Sequence, residues 1–207
     1  LAAGNIAACG SNSDNGKEGA TLTVLNYGKY IDEDAVKQFE KETGIKVKYE
    51  EYESPEEMYT KYKAGSIDYD VICSSEYMVE KLINEGEVLQ MDYAGMENYK
   101  NLDPTIIDMS SAYDKDHNYS LPYFYGTLGL LYNKTEVDPS VVKSWDCLWD
   151  PTYEDEIIME NSVRDTFAPA LIDLGYSLNE TDETHLREAL DVLKKQKDDK
   201  IVYGYYV

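Results

Sequence analysis

The alternation of apolar and polar residues divides the first half of the chain into short strands and amphipathic helices. Three segments have the pattern of a strand, at residues 21–26, 45–49 and 69–74. A helical pattern follows each strand, beginning at Asp32, Ser54 and Ser75, and glycines at 44 and 86 mark the ends of the first and third helices. Because strands alternate with helices, the sequence predicts an α/β fold whose sheet is mostly parallel.

The second half of the chain has a different order of elements. Two extended segments come first, at residues 119–123 and 128–132. A short helix, a strand, two helices and a last strand follow, at residues 145–149, 157–159, 164–174, 182–196 and 201–207. The chain stops inside the last apolar pattern without a turn or a polar tail. We therefore expect the C-terminal part of the fold to be missing, by a truncation that is either natural or artificial.

The chain is strongly acidic and rich in tyrosine. Its 207 residues include 41 Asp and Glu against 19 Lys and Arg, a net charge of −22. This charge argues against nucleic acid as a partner, because phosphates demand a basic face, and it favours cationic partners through electrostatic steering. Twenty tyrosines supply amphipathic rings beside these carboxylates, and a cation site needs both groups. No run of about 18 apolar residues suggests a membrane span.

The signatures of common enzymes and cofactor sites are missing from the sequence. It contains no G-x-S-x-G, H-E-x-x-H, G-x-G-x-x-G, Walker A or C-x-x-C motif, so the motifs predict no catalytic, cofactor or metal site. The spacing Asp114-x-Asp116-x-Asn118 is similar to the start of a calcium loop, but tyrosines stand at its sixth and twelfth positions. We interpret it as a solvated turn, and His185 as a surface residue of its helix.

The N-terminus carries a short motif that is specific for a covalent modification. Residues 6–11 read Ile-Ala-Ala-Cys-Gly-Ser and resemble the lipobox of bacterial lipoproteins, in which Cys9 becomes the lipidated N-terminus. Residues 1–8 are then the remnant of a signal peptide, and residues 9–20 are the lipidated cysteine with a flexible tether. This predicts an extracytoplasmic protein anchored by lipid at the cell surface or in the periplasm. We expect the other cysteines, Cys73 and Cys147, to be buried free thiols.

Several short blocks in a fixed order resemble one protein family. They begin with residues 25–30 (LNYGKY), 39–47 (FEKETGIKV) and 52–54 (YES), and continue with residues 69–71 (YDV), 75–77 (SEY), 119–123 (YSLPY), 144–149 (SWDCLW), 162–165 (SVRD) and 174–177 (LGYS). In order and spacing these blocks are similar to bacterial spermidine/putrescine-binding proteins, the receptors of polyamine ABC importers. The resemblance runs from about Thr21 to Val207.

The resemblance implies a fold, a ligand and a partner. The fold is the type II periplasmic-binding, or Venus-flytrap, fold, with incomplete lobes at residues 21–125 and 126–207 and a ligand held in the cleft between lobes. In this family aromatic rings line the methylene chain of a polyamine, and carboxylates receive its ammonium groups. The implied partner is the membrane-embedded permease of an ABC importer, and the resemblance implies a receptor without cofactor or metal rather than an enzyme.

The resemblance also implies particular ligand-binding residues. Five positions match the pocket of the family: Tyr27, Tyr30, Ser75, Tyr77 and Asp165. Four further positions are weaker candidates for the pocket: Glu76, Tyr125, Ser162 and Tyr206. Tyr123 and Tyr125 lie at the predicted first crossover and could be hinge or pocket residues. Plainer roles compete with these assignments, because the tyrosines could be exposed loop residues, Ser75 a helix cap, and Asp165 a carboxylate that pairs with a helix dipole.

One departure from the family leaves the ligand open. Ser162 stands where the better-known spermidine receptors have an aspartate, so one countercharge is absent and the sequence does not distinguish spermidine from putrescine. Two alternative functions remain. The protein could be a receptor for another small cation or organic solute, or an extracellular enzyme whose catalytic residues lie in the missing part.

Overall fold

Three parallel strands organise the first half of the chain in the computed structural model, which describes residues 19–206. The strands are β1 (Thr21–Tyr27), β2 (Lys46–Tyr52) and β3 (Val71–Ile72), and their order in the sheet is β2-β1-β3. β1 pairs with β2 along its whole length, so the two strands end together. β3 is shorter than the predicted strand at 69–74. One reason is that the Asp70 carboxylate accepts the Thr23 N–H at 2.8 Å and takes the place of a backbone acceptor there.

The helices of this half follow their strands as predicted. They are α1 (Glu33–Thr43), α2 (Pro55–Lys63) and α3 (Glu76–Asn84), and each begins directly after its predicted first residue. The residues after α3 form 3-10 turns at Tyr93–Gly95 and Glu97–Asn101 and a short helix, α4 (Pro104–Ser110), none of which the sequence predicts. The buried core of this half joins the sheet to α2 and α3 through Leu25, Tyr52, Met58, Met78 and Leu82.

The second half contains a two-stranded parallel sheet and two long helices. Its elements are 3-10 turns at Trp145–Trp149 and Pro151–Tyr153, strand β4 (Ile157–Glu160), helices α5 (Val163–Asp173) and α6 (Glu183–Asp198), and strand β5 (Val202–Tyr206). Its core consists of Leu148, Met159, Ala170, Leu171, Ala189 and Leu193. Residues 121–132, which include parts of both extended segments, belong to no helix or strand.

The chain divides into two compact units at the point where this second half begins. The first unit ends at Tyr123 and the second begins at Phe124, two residues before the predicted boundary between lobes. Each unit has its own sheet and its own core. Among the helices of residues 19–206, none has the length and apolar character needed to cross a membrane. Cys9 and the predicted signal-peptide remnant lie outside the described residues, as does most of the tether.

The prediction of a solvated turn is wrong for Asp114, although it fits the neighbouring Asp116, which is exposed. Asp114 is 2% exposed. Its carboxylate accepts the backbone N–H groups of Asn118, Tyr119 and Ser120 and the Ser120 hydroxyl, at 2.9–3.0 Å. The turn folds back over the carboxylate because these donors lie only four to six residues further along the chain. Asp114 is therefore the structural centre of the turn.

The two thiols of the described chain are free, as predicted, but they are half-buried rather than buried. Cys73 follows β3 at the edge of the first sheet, and burial raises the pKa of its thiol to about 11. Cys147 lies in a 3-10 turn and donates to the Ser144 carbonyl at 3.3 Å. Both positions are at the margins of their units rather than in the cores, which explains their partial exposure.

His185 gives the second unit a pH-dependent contact. Its Nδ1 lies 3.0 Å from Glu180 Oε2, and its ring stacks on Tyr176 with a centroid distance of 4.0 Å. The hydrogen bond to Glu180, with the acidic neighbours Asp182 and Glu188, raises the pKa of His185 above its usual 6.5. Because the pKa is raised in the folded state, the contact makes its full contribution to the stability of the fold below pH 6.5. This contribution is lost as the pH rises through the higher pKa of the folded state.

We expect the His185→Gln variant to lose this pH dependence. The melting temperature of the wild-type protein should fall between about pH 6 and pH 8, and the variant should show a flatter profile, because glutamine does not titrate. Thermal melts at half-unit intervals of pH would test this. Parallel profiles for the two proteins would show that protonation of His185 contributes nothing to stability.

Candidate ligand-binding site

The first sheet ends in a group of aromatic and hydroxyl side chains. Tyr27 is the last residue of β1 and Tyr52 is the last residue of β2, and their ring centroids are 4.5 Å apart. The Tyr52 hydroxyl donates to the Cys73 carbonyl at 2.5 Å, and the Tyr27 hydroxyl shares a hydrogen bond of 2.7 Å with the Ser75 hydroxyl. Two tyrosines therefore tie the ends of all three strands together.

The loop that follows β1 adds a third and a fourth ring. The Tyr30 ring meets the Tyr27 ring edge-on at 5.5 Å and the Tyr123 ring edge-on at 5.7 Å. The Tyr123 hydroxyl donates to the Tyr30 carbonyl at 2.9 Å. We call Tyr27, Tyr30, Tyr52 and Tyr123 the tyrosine cluster. Its edge-on contacts are the geometry that aromatic pairs favour.

The tyrosine cluster is electrically neutral and partly open. Burial raises the pKa of Tyr27, of Tyr30 and of Tyr123 above the usual value of 10.0. Burial likewise raises the pKa of Tyr52. Tyr30 and Tyr123 keep 39% and 49% of their surface exposed. Tyr52 is buried, so the cluster offers the exposed neutral rings of Tyr30 and Tyr123, and these suit a ligand with apolar methylenes and positive charge.

Helix α3 contributes the other candidates of the first unit. Ser75 occupies the N-cap position of α3 but makes no side-chain cap bond, and its hydroxyl bonds to Tyr27 instead. Glu76, the first residue of α3, is exposed. The Tyr77 hydroxyl donates to Glu56 of α2 at 3.1 Å, and its ring packs against the core of the first unit. The structure therefore brings Tyr27, Tyr30 and Ser75 together, whereas the hydroxyl of Tyr77 is engaged with α2.

The candidates of the second unit lie at the corresponding end of its sheet. Tyr206 pairs with Glu160 at the ends of β5 and β4. Ser162 caps α5 by accepting the Asp165 N–H at 3.3 Å, which places the exposed Asp165 carboxylate in the first turn of α5. Tyr125 is separate from these residues, in the segment that opens the second unit, and 73% of its surface is exposed.

Candidates of each unit lie near the carboxyl ends of its own parallel strands, apart from Tyr125 and the Tyr77 hydroxyl. Ligands of open α/β sheets bind outside this end of the strands, where the loops that follow the strands converge. At its strand ends the first unit carries neutral rings and hydroxyls, and at its own strand ends the second unit carries a carboxylate in the first turn of α5. Within residues 19–206, no group of three or more His, Cys, Asp or Glu side chains could hold a metal ion.

Comparison with known proteins identifies the family to which this chain belongs. A family model described as bacterial extracellular solute-binding protein matches residues 34–206. The chain belongs to this family. Curated proteins similar to this chain include the spermidine/putrescine-binding periplasmic protein of Salmonella typhimurium, which is 37% identical over 198 residues. That alignment covers 94% of this chain and 56% of the Salmonella protein, so the chain spans little more than half the length of the curated relatives it matches.

Solved structures of family members share the fold. A protein of Listeria monocytogenes that is named as a spermidine/putrescine ABC transporter matches with a TM-score of 0.81 and 37% identity, over 90% of this chain and 56% of its own. A lipoprotein of Treponema pallidum matches with a TM-score of 0.79 and 25% identity, over 90% of this chain and 57% of its own. These matches confirm the resemblance drawn from the sequence blocks and the type II periplasmic-binding fold that it implied.

Sequence reasoning missed Tyr52 as a member of the tyrosine cluster, and it offered Tyr123 only as a hinge or pocket residue at the predicted first crossover. Tyr52 lies beyond the strand predicted at 45–49. A signal for Tyr52 existed, because extending the alternation of β2 by three residues brings it level with Tyr27 at the sheet's end. Tyr123 has no local signal, since its partner Tyr30 lies 93 residues earlier in the chain.

Proposed function

We propose that the whole protein is an extracytoplasmic receptor that binds a polyamine and delivers it to an ABC importer. The observation that supports this most directly is the tyrosine cluster, together with the carboxylate of Asp165 at the matching end of the second sheet. The names of the relatives, which include spermidine/putrescine-binding and putrescine/cadaverine-binding proteins, point to the same ligand class.

The chemistry of the site suits a flexible dication or trication. Each ring face that meets an ammonium or its neighbouring methylene contributes about 0.5–2 kcal/mol. An ammonium taken out of water needs a countercharge or several acceptors, because its desolvation otherwise cancels the binding free energy. We assign the rings of Tyr27 and Tyr30 to the methylene chain, and Asp165 to one ammonium group. Ser75 supplies a hydroxyl acceptor in the first unit, and Ser162 supplies one in the second.

The proposed location rests on the N-terminal motif and on the family. Members of the family act outside the cytoplasm, and we propose that Cys9 carries the lipid that holds this protein at the membrane. A single acyl chain gives only marginal anchoring, so a lipidated cysteine must carry more than one. The membrane-embedded permease of the importer is the proposed partner.

Titration calorimetry of the full-length protein would test the ligand class. We expect heat of binding with putrescine and spermidine and none with glutamate or maltose, since only the first two are cations with apolar methylene chains. Binding of glutamate or maltose in place of the amines would show that the protein is a receptor for another solute. Turnover of an added amine, followed by product analysis, would favour an enzyme instead.

A further inference from the structure

Three contacts inside the first unit hold the loop that carries Tyr30. The Gly28 N–H donates to the Tyr52 carbonyl at 3.1 Å, and the Lys29 N–H donates to the Glu51 carboxylate at 3.1 Å. Lys29 has a φ of 57°, which is the left-handed region that non-glycine residues seldom adopt. The third contact is the hydrogen bond from the Tyr123 hydroxyl to the Tyr30 carbonyl. A loop with such a backbone depends on its surroundings to keep its shape.

Tyr123 differs from the other two anchors in its position along the chain. Glu51 and Tyr52 belong to β2, which is a fixed part of the sheet, whereas Tyr123 is the last residue of the first unit. It lies in a segment without helix or strand, and its hydroxyl and its ring both contact Tyr30. The segment through which the chain leaves the first unit is thus attached directly to the loop that carries a candidate ligand-binding ring.

We infer that Tyr123 is a positioning residue for ligand binding, which rests on the proposed function. Its hydroxyl fixes the Tyr30 carbonyl, and its ring fixes the angle at which the Tyr30 ring meets Tyr27. A ring that is held in place before the ligand arrives costs less conformational entropy on binding than a mobile one. The same contact joins the loop to the segment through which the chain leaves the first unit. A ligand that contacts Tyr30 therefore also restrains the chain at residue 123.

The Tyr123→Phe variant tests this inference without removing the ring. Loss of a single neutral hydrogen bond should weaken binding of putrescine or spermidine to the full-length protein by about two- to tenfold. Tyr119→Phe is the matched control, because Tyr119 precedes Tyr123 by four residues and its hydroxyl pairs with Gln90, away from the loop. We expect the control to bind as the wild type does.

A double-mutant cycle separates positioning from general stability. In a Tyr30→Ala background no ring remains to be positioned, so adding Tyr123→Phe should cause little further loss of affinity. Equal losses in both backgrounds would overturn the inference, as would unchanged affinity of the single Tyr123→Phe variant.

Hydrogen exchange of the ligand-free protein keeps this test independent of the ligand. The amides of residues 28–31 should exchange faster in Tyr123→Phe than in the wild type or in Tyr119→Phe, because the loop has lost one anchor. Unchanged exchange would overturn the inference whatever the protein binds. The loop could exchange faster in the variant although no amine binds even the wild type. Tyr123 would then be shown to hold the loop, but the proposed function and the role of Tyr123 in ligand binding would both be wrong.

Discussion

Replacing Asp165 by asparagine should weaken polyamine binding by about 10- to 100-fold and leave the fold intact. A charge-assisted hydrogen bond between a carboxylate and an ammonium contributes about 1.5–3 kcal/mol, and each 1.4 kcal/mol is a factor of ten in affinity. Asparagine keeps the shape of the side chain and removes its charge. The cap of α5 is unaffected, because Ser162 bonds to the backbone N–H of residue 165 rather than to its side chain.

The change in affinity, rather than the small change in stability, distinguishes a ligand-binding carboxylate from one that only pairs with the helix dipole. A first-turn carboxylate stabilises its helix by about 0.3–1 kcal/mol, so Asp165→Asn should lower the melting temperature by at most a few degrees. Glu183→Gln in the first turn of α6 is a matched control, since Glu183 is exposed and pairs with Arg187 on the helix surface. Calorimetric titration of both variants with putrescine decides between the two roles. If Asp165→Asn binds as tightly as Glu183→Gln, Asp165 serves the helix alone.

Local signals explain why the first three helices could be located from the sequence. The predicted helix at 32–44 is found at Glu33–Thr43, because Asp32 accepts the N–H of Asp34 and Gly44 takes the left-handed conformation that ends the helix. At the start of α2 the Ser54 hydroxyl accepts the Glu57 N–H, and the Glu57 carboxylate accepts the N–H of Glu53, the residue before the cap. Each of these signals lies within a few residues of the structure that it specifies.

The elements in the region after α3 could not be located from local signals of this kind. The sequence predicts no element between about 86 and 119, yet this region contains two 3-10 turns and α4. The Met91 N–H donates to the Asn118 carbonyl at 2.7 Å, and the Tyr93 hydroxyl donates to the Ser120 carbonyl at 2.9 Å. These contacts join residues 27 positions apart, so their energetic origin is tertiary and has no periodic signature in the sequence.

Part of the candidate site could likewise be predicted from the sequence, and part could not. Periodicity predicted the parallel strands and therefore the edge at which loops converge, but it did not indicate which side chains meet there. The family resemblance singled out Tyr27, Tyr30 and Ser75, and their contacts span 48 residues between Tyr27 and Ser75. Tyr52 and Tyr123 complete the cluster because the sheet topology places them beside these residues, and that placement is a property of the fold rather than of any short motif.

The substitution with the largest expected effect on stability is Asp114→Asn. In the folded protein Oδ1 accepts from Asn118, and Oδ2 accepts from Tyr119 and twice from Ser120. Asparagine has only one acceptor oxygen, so at least one backbone N–H would face an NH₂ group and every hydrogen bond that remains would lose its charge assistance. Buried donors left without an acceptor cost about 1–3 kcal/mol each, and the total loss should be about 3 kcal/mol or more.

A loss of this size should lower the melting temperature by about 6–12 °C in a chain of this length. Asp116→Asn is the control in the same turn, because Asp116 is exposed and a surface change of this kind stays within about 0.5 kcal/mol.

Burial by itself raises the pKa of Asp114, but the hydrogen bonds from Tyr119, Asn118 and Ser120 outweigh it and hold that pKa below the usual 3.8. The stabilisation is therefore present above pH 3.8 and is lost as the pH falls through the lowered value, so the difference between Asp114→Asn and wild type should be full at pH 7 and shrink in strong acid. Equal melting temperatures for the Asp114 and Asp116 variants at pH 7 would show that the buried carboxylate does not hold this turn.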